Sequence, residues 1–116
     1  MLTAMNQNDL CYLSAAEALA QFRDRSLSPV ELLDAVIARA EQTEPTVNAL
    51  CLRYFDEARE LALIAERNWQ TNNARPLEGI PIAIKDEALI AGWGMEEALR
   101  RGWGHERCLG VNRGDR

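Results

Sequence analysis

A chain of 116 residues carrying 13 Lys/Arg against 18 Asp/Glu, for a formal net charge of −5 and a pI near 4.9, has room for one small domain and no second. The acidic balance argues against a role that depends on neutralising phosphates, so nucleic acid is not an expected partner. No stretch approaches the ~20 apolar residues needed to span a bilayer and no basic or apolar leader is visible, so no membrane partner is expected and the expected location is cytoplasmic.

The first element the sequence predicts is a helix over "LSAAEALAQFRDRS". Ser14 is its candidate N-cap, Glu17 follows at the spacing of a capping box, and Leu13 stands where a hydrophobic staple would. Ala15, Ala18, Leu19 and Phe22 share one face. A second helix repeats the device, with Ser28 as cap, Pro29 at the first helical position where its missing N–H costs nothing, and Glu31 closing the box. Val30, Leu33, Ile37 and Ala40 form its buried stripe, Glu31, Asp34, Arg39 and Glu41 face water, and Pro45 is expected to stop it.

Residues 47–55, "VNALCLRYF", read as a short strand or as the lead-in to a further helix, because periodicity does not separate the two over so short a run. From Asp56 the pattern is firmer. Ala58, Leu61, Ala62, Ala65 and Trp69 recur at helical spacing, and a third helix is expected to run to about Gln70. The polar loop "TNNARPLEG" follows, and Gly79 ends it before "IPIAI", a run apolar on both alternate faces. Such a run reads as a strand covered on both sides, with Pro81 at its start. It delivers a lysine, Lys85, followed at once by Asp86. Lysine is almost never buried without a partner, so Lys85 either does chemistry or ends the strand in water.

These elements, and above all "PLEGIPIAIKDEALIAGW", resemble the N-terminal part of the amidase signature family over roughly residues 13 to 93. The Pro-Leu-x-Gly-Ile-Pro-x-x-x-Lys-Asp string is a far more specific marker than a lone short motif. The resemblance implies amide C–N hydrolysis or acyl transfer by a Ser–cis-Ser–Lys triad, an amide as substrate, and Lys85 as the triad lysine. A lysine that accepts a proton near neutral pH has to be desolvated by its surroundings. Asp86 is either a turn residue or a group that orients Lys85.

The rest of that machinery has no counterpart here. The family draws its bridging serine, nucleophile and oxyanion donors from a Gly/Ser-rich segment further along, whereas the serines of this chain are Ser14, Ser26 and Ser28, all in or beside expected helix caps. Without a nucleophile there is no acyl-enzyme, and without oriented donors the tetrahedral oxyanion is unsupported. Composition also changes at Trp93. Residues 1–92 hold 8 Lys/Arg against 14 Asp/Glu, a balance of −6, and residues 93–116 hold 5 against 4, a balance of +1, with five of the seven glycines. Residues 1–92 are therefore read as a truncated N-terminal segment of an amidase-like domain. Residues 93–116 are read as an unrelated tail, of the kind that translation in a shifted frame would produce, with "MEEALRRG" able to form two helical turns.

No metal or cofactor is expected. His105 and Cys108 make one H-x-x-C pair with no second pair to complete four ligands, and Cys11, Cys51 and Cys108 lack CxxC spacing, so reduced thiols are the default. The expected fold is α/β in miniature. It has three amphipathic helices and one or two short strands, Val47 to Arg53 pairing with Ile80 to Lys85, followed by an irregular C-terminal tail. Two readings of function follow. One is an amidase-related chain inert by itself; the other is a small helical interaction module that self-associates through exposed apolar faces. Substrate-binding residues cannot be picked out, since specificity lies in pockets beyond the segment that carries the resemblance.

Overall fold

Ser14 and Glu17 open the second helix of the chain by satisfying each other's amides, and most of the architecture is built from ends of this kind. A computed structural model describes residues 6–85, together with the backbone of Leu89–Ile90 and Trp93–Gly94. A single turn, α1 (Gln7–Leu10), starts at Asn6, whose side chain accepts from the Asn8 amide while Asp9 accepts from the Asn6 amide. Helix α2 (Ala15–Asp24) begins with the Ser14 hydroxyl accepting from the Glu17 amide at 3.2 Å, while the Glu17 carboxylate accepts from the Ser14 amide at 2.8 Å and its hydroxyl at 2.7 Å. It ends at Arg25, which takes the left-handed conformation at φ 63° so that the Ser26 and Leu27 amides reach back to the Gln21 carbonyl, the closure usually given to glycine.

Helix α3 (Pro29–Val47) starts where the sequence places it. The Ser28 hydroxyl accepts from the Val30 amide at 3.0 Å and Glu31 accepts from the Ser28 amide at 2.9 Å. Pro45 does not stop it. Proline removes its own donor, but later residues can still donate, and the Asn48 amide reaches the Glu44 carbonyl at 2.8 Å. Termination falls instead to Asn48, at φ 49°, and to the Glu44 side chain, which accepts from the Ala49 and Leu50 amides at 3.0 and 2.9 Å. Helix α4 (Phe55–Gln70) has Asp56 and Glu57 in its first turn and Arg67 in its last, the order that complements the helix dipole.

The described residues fall into two compact units, one made of residues up to 42 with 54–81, the other of 43–53 with those from 82 on. The first holds the core. Ala18, Phe22, Leu27 and Leu32 form one buried cluster, against which Leu10, Leu13, Leu19, Val36, Trp69 and Ile80 pack. Leu33, Ile37 and Ala62 form another, flanked by Val30, Phe55 and Ala58. The Phe22 and Trp69 rings lie 6.2 Å apart, tilted by 51°, within the range of favourable aromatic pairs.

The α/β expectation is overturned, because the described structure is helical. Val47 is the last residue of α3, residues 48–54 are irregular, and Ile80–Lys85 joins no ladder. Strand composition is a preference for a pleated surface with neighbours on it, not a backbone preference. Here Pro81 withholds one donor, while Ile82 and Ile84 are 74% and 48% exposed, so nothing rewards extended pairing. The ladder that does occur among the described residues is two residues long: β1 (Leu89–Ile90) runs antiparallel to β2 (Trp93–Gly94), with Leu89 opposite Gly94 and Ile90 opposite Trp93. Cys11 is free. No helix among the described residues is long and apolar enough to cross a membrane. Asp86, the expected irregular tail from residue 95 on, "MEEALRRG", His105 and Cys108 lie outside the described residues.

Candidate functional site

The Pro-Leu-x-Gly-Ile-Pro string is folded by a carboxylate that the sequence does not single out. Past the end of α4, Asn72 turns the chain at φ 57° and the Asn73 amide closes onto the Asn68 carbonyl at 2.8 Å. Arg75 then meets Glu78. The guanidinium donates to the Glu78 carboxylate from Nε at 2.8 Å and from Nη2 at 3.0 Å, and the Arg75 amide donates to it at 3.2 Å. The backbone is tied as well, from the Glu78 amide to the Arg75 carbonyl at 3.1 Å and from the Trp69 indole N–H to the Glu78 carbonyl at 3.0 Å.

Glu78 is 4% exposed. Its bond to Arg75 outweighs burial, and with the Arg75 amide and the Asn68 side chain it lowers the carboxyl from 4.5 to about 2. The Arg75 guanidinium is raised in return, chiefly by the same bond. A buried carboxylate held this firmly ionised accepts hydrogen bonds and is no reservoir of protons, so Glu78 shapes the turn that leads to the lysine. The signal for it is local: an Arg and a Glu three residues apart inside a proline- and glycine-bounded loop.

Glu44 is the other buried carboxylate among the described residues. The Leu50 and Ala49 amides and Arg53, whose Nη2 stands 3.4 Å away, hold it below the usual range against the opposing effect of burial. It too is structural, since it closes the end of α3.

Burial falls away after Gly79. Ile80 packs on the first core cluster, Pro81 is half-buried, and residues 82–85 are exposed, Lys85 included. The serines are placed elsewhere. The Ser14 hydroxyl serves the start of α2 and the Ser28 hydroxyl that of α3, and Ser26 lies in the turn after α2, where its amide donates to Asp24 at 3.0 Å. Among the described residues no three His, Cys, Asp or Glu side chains gather to hold a metal ion.

Comparison with known proteins gives these residues a context. The family model described as "Amidase" matches residues 31–99, more than half of the chain and six residues beyond the compositional change at Trp93. The A subunit of glutamyl-tRNA(Gln) amidotransferase from Sinorhizobium medicae (strain WSM419) is 41% identical over 78 residues, 67% of this chain and 16% of that protein. Its namesake from Rhizobium meliloti (strain 1021) is 38% identical over the same shares. An acylamidase of Rhodococcus erythropolis is 32% identical over 91 residues, 76% of this chain and 19% of that protein. The chain thus spans between 16% and 19% of the length of these curated relatives. No solved structure matches it.

Proposed function

The chain belongs to the amidase family, and on that premise we propose that it carries the family's lysine-bearing segment without the groups that would put the lysine to work. In this reading Lys85 is the triad lysine, the substrate of the complete machinery is an amide, and the 116 residues by themselves are catalytically inert. The cytoplasmic location and the division between residues 1–92 and 93–116 are part of the same proposal, the second resting on composition alone.

The observation that carries the reading is where the hydroxyls are. The chain has three serines. Ser14 and Ser28 have their hydroxyls engaged at helix starts, and Ser26 follows a helix end. A nucleophile needs an exposed hydroxyl beside a base, with two donors aimed at the developing oxyanion, and helix caps offer none of this. Lys85 itself is exposed.

The test is direct. Incubated with an aryl amide, the purified chain is expected to release no more amine than buffer does, and Lys85→Ala is expected to be indistinguishable from it. Turnover by the unaltered chain that vanishes in Lys85→Ala would overturn the proposal.

A further inference from the structure

The outer face of α4 carries two exposed aliphatic side chains between an acid and a base. At 100° per residue, the direction opposite the buried Ala62 and Ala65 is occupied by Glu60, Leu63, Ile64 and Arg67. All four are exposed, Leu63 by 50% and Ile64 by 43%. Two large aliphatic side chains at the centre of an outward helix face have no role in either core cluster. The charges on that face are arranged about them: one acid a turn before, one base a turn after. Glu60 and Arg67 are seven residues apart, a rise of about 10.5 Å, too far to pair with one another on the same helix.

We propose that two copies of this chain associate through α4, antiparallel, about a two-fold axis between Leu63 and Ile64. That axis sets Leu63 against Ile64 of the second copy and Glu60 against Arg67 of the second copy, each contact occurring twice, as an isologous interface requires. On the same register Glu57 stands level with Gln70 of the second copy, so no like charges meet. A parallel pairing would put Glu60 on Glu60 and Arg67 on Arg67, and is disfavoured by repulsion. The contact is one helix pair, small beside the usual range of stable interfaces, so the dimer is weak and reversible. The inference rests on α4 alone and is independent of the reading of Lys85.

Its test uses the symmetry. Sedimentation equilibrium of the full chain over a wide concentration range is expected to show a monomer–dimer equilibrium. Glu60→Arg sets the introduced guanidinium against Arg67 of the second copy, and Arg67→Glu sets the introduced carboxylate against Glu60 of the second copy. Either change turns two attractions into two repulsions and is expected to raise the dissociation constant by roughly tenfold or more. An equimolar mixture of the two variants restores both opposite-charge contacts, so it is expected to dimerise about as well as the unaltered chain, with circular dichroism confirming that each variant keeps its helices. A chain that stays monomeric at the highest concentration reached overturns the proposal. So does a dimer indifferent to both reversals, or a mixture that associates no better than either variant alone.

Discussion

Gly79→Ala is expected to lower the unfolding free energy by roughly 2–4 kcal/mol, read as a lower midpoint in urea with an unchanged slope. Two effects add. Gly79 sits at φ 84°, a left-handed conformation that disfavours any side chain. A β-carbon built there would also stand 2.8 Å from both Cβ and Cγ of Pro29 and 3.3 Å from Cβ of Ala65. Pro29 is among the largest fully buried side chains, and its ring has no rotamer to retreat into. The turn itself would have to move, taking with it the Glu78 carbonyl that receives the Trp69 indole N–H and the Ile80 side chain that packs on the core. An unchanged midpoint would show that the turn is not seated on α3 in this way.

The second large effect is expected in acid. The Glu78 carboxyl is depressed in the folded chain, from 4.5 to about 2. Its stabilisation is therefore fully present above the unfolded value and is lost as the pH falls from about 5 through about 2. Arg75, the main cause of the shift, is 79% exposed at its side chain. Solvent screens that partner, and the contribution at neutral pH is on the order of 1–2 kcal/mol. Glu17, Asp24 and Glu44 are shifted in the same direction, so the unaltered chain mixes several contributions. Glu78→Gln separates them: it should be less stable at pH 7 and should lose less on acidification. Stability curves that run parallel from neutral to acid pH would refute the assignment.

What can be read from the sequence is what local chemistry decides. The starts of α2 and α3 follow from Ser14, Glu17, Ser28, Pro29 and Glu31, because a capping box is closed within four residues. The stripe of α3 is legible in part: Leu33 and Ile37 are buried and Glu31, Asp34, Arg39 and Glu41 exposed as expected, but Val30 and Ala40 are half-buried, while Leu32 and Ala35 are buried outside the expected stripe. The periodicity of α4 is legible, but not its edges. Leu61 falls beside the buried stripe and is 54% exposed, since a window of apolar residues does not say how wide a face the neighbouring helix covers.

The errors share one cause, which is dependence on residues that lie elsewhere in the chain. A strand exists only when another strand supplies its partners, and nothing within "IPIAIK" or "VNALCLR" reports whether such a partner is present. The stop expected at Pro45 fails because the Glu44 side chain, whose bonds lie five and six residues ahead, terminates α3 two residues later. Glu78 lies in plain view inside the string that carries the family resemblance, but its burial depends on α4 and on Arg75, so its type alone gives no warning. Lys85 is legible as an end point of the apolar run, and its exposure is one of the two alternatives the sequence leaves open.

That exposure has a practical side. Lys85 is the one lysine in the chain, and it stands in water at the close of a segment that belongs to no helix. Among side chains, an acylating dye or a biotin ester therefore has a single amine to modify, and a lysine-directed endoprotease has a single bond to cut, between Lys85 and Asp86. The residue that the resemblance marks for chemistry thus doubles as a unique point of attachment, where a spectroscopic probe can be placed without altering one residue of the sequence.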